Sequence, residues 1–177
     1  MNKLLLVIDA QNDFINEHTQ KILIKIRELV DSNKYNLTAF TRFINDENSI
    51  WYKKLNYKGC MTKDGQSIAI DIKNNKVFDK KIYTAVNDEL KNYIRENNIS
   101  EIYLCGFDTD ACVQKSALDL FEQNYNVYVL KDYCMSHEGK EIHDLYIHNL
   151  TRLIGKDKIR IYRKICVKFK NTPSYDI

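Results

Sequence analysis

Three side chains in this 177-residue chain have the types and addresses needed for acyl transfer: Asp9, Lys80 and Cys112. Cys112 lies in Leu104-Cys105-Gly106-Phe107-Asp108-Thr109-Asp110-Ala111-Cys112-Val113, where a buried strand gives way to an amphipathic helix. Helix N-termini carry unpaired N–H groups and a positive dipole end, and both favour thiolate over thiol. Asp9 closes the apolar run Leu4 to Ile8, and Lys80 and Lys81 follow a short strand at Val77-Phe78. A carboxylate can take the thiol proton, an ammonium can hold that carboxylate ionised, and the thiolate can attack a carbonyl. Each residue also has an ordinary role: Asp9 as a turn cap, Lys80 as a solvated strand-end charge, Cys112 as a small core residue.

Strand-like and helix-like patterns alternate from end to end, which specifies an α/β fold: a three-layer αβα arrangement on a mainly parallel, Rossmann-like sheet of about six strands. Leu4-Leu5-Leu6-Val7-Ile8 reads as a central strand buried on both faces. Leu37 to Phe43, Val77-Phe78, Ile102 to Cys105, Val127 to Leu130 and Ile159 to Tyr162 read as the other strands, with Gly106 ending the fourth. Helical stripes fall at Ile22, Ile26, Leu29 and Val30; at Val86, Leu90, Tyr93 and Ile94; at Val113, Ala117, Leu120 and Phe121; and at Ile142, Leu145, Tyr146, Leu150 and Leu153. Residues 45–75 are the least patterned stretch and read as a lid, an edge excursion or a subunit interface. In open α/β sheets, ligands bind beyond the carboxyl ends of the strands, and Asp9, Lys80 and Cys112 all sit at such ends.

Composition excludes several alternatives. The 44% hydrophobic content supports a sizeable core, and residues 1–177 read as a single domain without repeats. The 27 basic and 24 acidic residues are scattered, so no basic stripe argues for nucleic acid. The apolar run ending at Asp9 is too short for a signal peptide or a membrane span, which predicts a cytoplasmic protein without a membrane partner. The five cysteines, Cys60, Cys105, Cys112, Cys134 and Cys166, show no Cys-x-x-Cys spacing, as expected of reduced thiols. The five glycines form neither a dinucleotide fingerprint nor a P-loop.

Taken together, Leu4 to Asp9 with Ala10-Gln11-Asn12-Asp13-Phe14, Lys80-Lys81-Ile82-Tyr83-Thr84-Ala85, and Gly106-Phe107-Asp108-Thr109-Asp110-Ala111-Cys112-Val113 closely resemble, in order, the three motifs of the isochorismatase-like cysteine hydrolases. The resemblance spans nearly the whole chain, and the third motif is its most specific part. Lys80 rather than Lys81 takes the lysine position, because Tyr83-Thr84-Ala85 then fall on the family's Tyr-Ser-Ala. Asp132-Tyr133 resembles a further Asp-Ala element. The resemblance implies an Asp9-Lys80-Cys112 triad that hydrolyses a small amide or carbamoyl compound through a thioester, with no cofactor. It also implies a cis Phe107–Asp108 peptide and an oxyanion hole formed by the Asp108 and Cys112 backbone N–H groups. The Asp108 side chain reads as a turn or capping group, and Phe14, Trp51 and Tyr83 as substrate-binding residues. On this reading Asp9→Asn or Lys80→Ala slows alkylation of Cys112. Family members often associate, so a homo-oligomer is expected.

The chain departs from the family pattern in places that bear on substrate. Nicotinamidases of this family carry an Asp-x-His metal cluster after the second strand, where this chain reads Thr41-Arg42-Phe43-Ile44-Asn45; no metal is expected. His18, His137, His143 and His148 lack ligand spacing and read as surface or helix-packing residues. Isochorismate-cleaving members commonly lack the cysteine, so its presence favours amide hydrolysis. Arg42 suits either recognition of a substrate carboxylate or a strand-end salt bridge. Two other classes compete: a thiol redox or sensor protein pairing Cys112 with Cys134, and a non-catalytic scaffold that keeps the fold.

Overall fold

Leu4, Leu5, Leu6, Val7 and Ile8 are all fully buried, and the strand they form, β1 (Asn2–Ile8), has a parallel partner along each edge. A continuous apolar run is what such a position demands, because both faces are covered. The computed structural model describes residues 1–161; Cys166, Pro173 and Tyr162, the end of the expected last strand, lie outside them. The other strands are β2 (Leu37–Phe43), β3 (Lys76–Lys80), β4 (Ile99–Gly106), β5 (Val127–Cys134) and β6 (Ile159–Arg160). They form one six-stranded parallel sheet in the order β3-β2-β1-β4-β5-β6. Sheet growth reverses between β1 and β4, and that switch point opens a crevice at the carboxyl ends of the strands.

The helices are α1 (Gln20–Asp31), α2 (Ile50–Leu55), α3 (Lys63–Gln66), α4 (Asp88–Glu96), α5 (Gln114–Glu122) and α6 (Lys140–Ile154). Right-handed crossovers running in opposite directions along the sheet place α1 on one face and α4, α5 and α6 on the other, giving three layers. Some expected stripes shift. Val86 precedes α4, whose N-cap Asn87 accepts from the Leu90 N–H. On α6 the inward residues are His143, Ile147, Leu150 and Ile154, spaced four, three and four, while Leu145 and Leu153 face outward. Phe121 at the end of α5 is also exposed.

Residues 45–75 contain α2 and α3 and are tied down by polar bonds rather than left as a free flap. The Gln11 side chain accepts from the Phe43 N–H at 2.7 Å and donates to the carbonyls of Phe43 at 2.9 Å and Gln66 at 3.0 Å. Asp13 accepts from the Cys60 N–H at 2.6 Å. Asn45 donates to the carbonyls of Tyr57 at 3.0 Å and Gly59 at 2.9 Å. Buried groups satisfied in this way fix the segment against the ends of β1 and β2.

At the switch point itself, Gly106 has φ +118° and a Cβ there would collide with the Ile8 carbonyl oxygen. Only glycine lets β4 leave the sheet this close to β1.

Candidate active site

Asp9 follows β1 with φ +45°, a conformation that non-glycine residues seldom adopt and that concentrates at functional sites. Thr41 of β2, fully buried, holds it twice: the Thr41 hydroxyl donates to Asp9 Oδ1 at 2.6 Å and accepts from the Asp9 N–H at 3.1 Å. The other carboxylate oxygen, Oδ2, lies 2.6 Å from Lys80 Nζ. Lys80 ends β3, in register with Phe43 of β2, which aims its side chain across the end of β2 toward β1. Its ammonium donates to the Ile82 carbonyl at 3.0 Å and to Cys112 Sγ at 3.3 Å. The three reactive side chains therefore converge, and Lys80 Nζ is the point at which carboxylate and thiol meet.

Cys112 does not sit on the first turn of α5. It lies in a preceding turn of π-helix, Thr109–Val113, which follows a cis Phe107–Asp108 peptide. Here the Ala111 and Val113 N–H groups donate to the Asp108 carbonyl and the Thr109 N–H to Met135; the N–H groups of Asp108 and Cys112 take no part in this set. Thr109 also bonds the buried His143 ring at 2.7 Å, tying the turn to α6. The helix-packing role expected of His143 is the one it has.

The charge balance runs against the thiolate that a helix start favours. Burial first, then the Asp9 carboxylate, push the Cys112 thiol well above its usual range, and Lys80 opposes them. Burial disfavours the Lys80 ammonium, but Asp9 and Cys112 outweigh that and raise it. The resting arrangement is a thiol beside a closed carboxylate–ammonium pair.

Cys112, with Asp9 and Lys80 buried behind it, lies on the floor of a cavity of about 560 Å³. Phe14, Trp51 and Tyr83 all line it, with Phe43, Tyr57 and His137 among the other walls. Trp51 comes from α2; its indole N–H donates to the Lys81 carbonyl at 2.9 Å, and its ring lies 4.4 Å from that of Tyr83. It is both packed and pocket-lining. Tyr83 is carried by a loop whose Ala85 N–H donates to Ser116 of α5 at 2.9 Å. Two other concavities, of about 650 and 570 Å³, lie away from the reactive residues, the first at the amino ends of β2 and β3.

Several residues have other duties than the sequence suggested. The Asp108 side chain caps nothing: it accepts from the His137 N–H at 2.9 Å and pairs with His137 Nδ1. His137 thus belongs to the cavity wall and not to the bland surface set, and its Asp108 hydrogen bond pushes its pKa up to about 9. Burial raises the Asp108 carboxyl, against the pull of His137. Arg42 makes a two-bond pair with Asp79 on β3, at 2.8 and 2.9 Å, and so is the salt bridge. Asp132 lies within β5, which runs farther than expected. Cys134 is fully buried, in register with Gly106, and its Sγ lies 3.9 Å from the Leu104 carbonyl. At the end of β2 the Asn45 amide is taken up by backbone carbonyls, and among the described residues no three His, Cys, Asp or Glu side chains converge. These residues do not fit a metal ion.

A doubly wound parallel sheet with a carboxylate, an ammonium and a thiol at its switch point defines an isochorismatase-like α/β protein. The chain belongs to the isochorismatase family: the model of the isochorismatase domain matches residues 3–156. It is 30% identical over 143 residues to isochorismatase family protein 2A of Dictyostelium discoideum, covering 77% of this chain and 68% of that one. A second relative, protein 2B of the same organism, is 32% identical over 117 residues, and there the match spans 53% of its length. Among solved structures, the pyrazinamidase of Pyrococcus horikoshii in complex with zinc superposes with a TM-score of 0.79 at 22% identity, covering 92% of this chain and all (100%) of that one. The N-carbamoylsarcosine amidase of Thermoplasma acidophilum gives 0.78 at 20% identity, covering 95% and 99%. Among the described residues, no helix is long and apolar enough to cross a membrane.

Proposed function

We propose that this protein is a cysteine-dependent hydrolase that cleaves the C–N bond of a small amide or carbamoyl compound through a thioester on Cys112. The observation that carries the reading is the buried line Asp9 Oδ2, Lys80 Nζ, Cys112 Sγ, with contacts of 2.6 and 3.3 Å, opening on a cavity large enough for a small molecule. Solved relatives of the same fold include a pyrazinamidase, a nicotinamidase and an N-carbamoylsarcosine amidase, and all three act on amide-type bonds by name.

Because the thiol rests protonated, its proton moves as the bond forms. Asp9 takes the proton while Sγ attacks the carbonyl carbon. The resulting oxyanion accepts from the Asp108 and Cys112 N–H groups, and Lys80 keeps Asp9 in place through the charge change. Collapse breaks the C–N bond, and the departing amine takes the proton from Asp9. Water then enters, Asp9 takes one of its protons, and attack on the thioester releases the acid and restores the thiol. Phe14, Trp51 and Tyr83 form apolar walls that exclude bulk water from the thioester.

Intact-protein mass spectrometry across a panel of small amides tests this. The expected result is an acyl adduct on wild-type protein, mapped to Cys112 and lost in Cys112→Ser. Ammonia or amine release that persists in Cys112→Ser would overturn it.

A further inference from the structure

The cavity wall carries charge in an uneven way, and this bears on which amide the site accepts; the inference rests on the cysteine-hydrolase reading. Its acidic residues are Asp108, Asp110 and Glu138, and its basic residues are His137 and Lys58. Asp108 and His137 are closed on each other through two contacts, and the second ring nitrogen of His137 lies 3.1 Å from Glu138. The imidazolium is thus bracketed by two carboxylates. The nearby cations on the strand ends are committed: Lys80 to Asp9, Arg42 to Asp79 and Lys81 to Asp46. Lys58 remains, exposed at the rim.

Asp110 differs from all of these. Its Oδ1 is buried and has no hydrogen-bond partner among the described residues, and it stands two positions before Cys112 on the same π-turn. The residue itself is only partly buried in the cavity wall, and no cation pairs with its carboxylate among the described residues. The partner that the chemistry calls for is an N–H or an ammonium. The Trp51 and Tyr83 rings across the cavity favour the same sign of charge, since aromatic faces attract cations.

We propose that Asp110 is a specificity-determining residue that accepts an N–H or ammonium donor of the substrate, so that the site takes neutral or cationic small amides and rejects those bearing a carboxylate. The repulsion acts on any anion brought to Cys112, whatever its shape.

Charged thiol reagents test this without knowledge of the substrate. Methanethiosulfonates transfer their RS group to a thiol, forming a mixed disulfide and releasing methanesulfinate. Rates at Cys112 are measured by peptide mass spectrometry for the methyl (neutral), 2-aminoethyl (cationic) and 2-sulfonatoethyl (anionic) reagents, each divided by its rate with 2-mercaptoethanol. The cationic reagent should outpace the anionic one by about 30-fold, within the range by which a charged cleft alters local concentration. Asp110→Asn should cut that ratio at least about tenfold, on the same electrostatic grounds, while Asp110→Glu keeps it and Lys58→Met does not lower it. A wild-type ratio near one, or one favouring the anion, overturns the proposal even if the variants fail to fold. The methyl reagent separates the two readings. If it labels Cys112 ahead of the other cysteines without any charge preference among the three reagents, only the role of Asp110 falls. If it does not label Cys112 ahead of them, the nucleophile falls, and this inference with it.

Discussion

Asp9 and Lys80 offer the sharpest perturbation, because they face each other across 2.6 Å with side chains 0% and 2% exposed. Asp9→Asn leaves an ammonium buried beside a thiol, and Lys80→Met leaves a buried carboxylate beside Thr41 and the Cys112 thiol. Removing one partner of a buried pair costs about 3–5 kcal/mol, since the remaining charge loses its compensation. For a chain of this length that corresponds to about 6–20 °C in melting temperature. The double variant leaves neither charge behind, so its loss should fall short of the sum of the single losses by about 2 kcal/mol. Urea denaturation of the four proteins measures the cycle. The same variants should move the thiol in opposite directions: Asp9 raises its pKa and Lys80 lowers it, so at fixed pH iodoacetamide modifies Cys112 faster in Asp9→Asn and slower in Lys80→Met. For Asp9 this direction is opposite to the one the resemblance implies, because its charge acts on the resting thiol. Turnover should fall about 100- to 10,000-fold in Asp9→Asn, as for loss of a general base. Additive stability losses, or alkylation rates that move together, would refute the reasoning.

Two further outcomes are expected. Thr41→Val strips Asp9 Oδ1 of its buried donor and should cost about 1–3 kcal/mol in urea denaturation; an unchanged midpoint would show that the clamp carries no weight. The His137 pKa is raised from 6.5 to about 9, so the stability from its pairing with Asp108 is fully present below pH 6.5 and lost as pH rises through about 9. Melting temperatures of His137→Gln should therefore decline less over that window than those of wild type, and parallel profiles would contradict the pairing.

What could be read from the chain was what repeats locally. Leu4 to Ile8 announces a doubly covered strand by composition alone, and Asp9, Lys80 and Cys112 stand out because reactive types occupy strand ends within motifs. The family membership confirms that resemblance, and the sheet order gives those strand ends a common crevice. What stayed hidden depends on contacts between distant segments. Thr41 looks like any β-branched strand residue until β2 lies beside β1, and nothing near Gln11 in sequence foretells its bonds to Phe43 and Gln66. His137 lacked a spacing signal because its partner, Asp108, lies 29 positions away. The state of the thiol stayed hidden for a different reason: desolvation belongs to the packed state and acts against what a helix start favours.

The reacting groups stand on the ends of β1, β3 and the turn after β4, whereas much of the wall, from Trp51 and Tyr57 to His137, comes from residues 45–75 and the segment after β5. Floor and walls are thus separately mutable. An engineer could exchange Trp51, Tyr57 or His137 to reshape what enters, or graft a different 45–75 segment, without disturbing the sheet register that sets Asp9 against Lys80. The same separation offers natural descendants of this chain a route to new amides through one segment at a time.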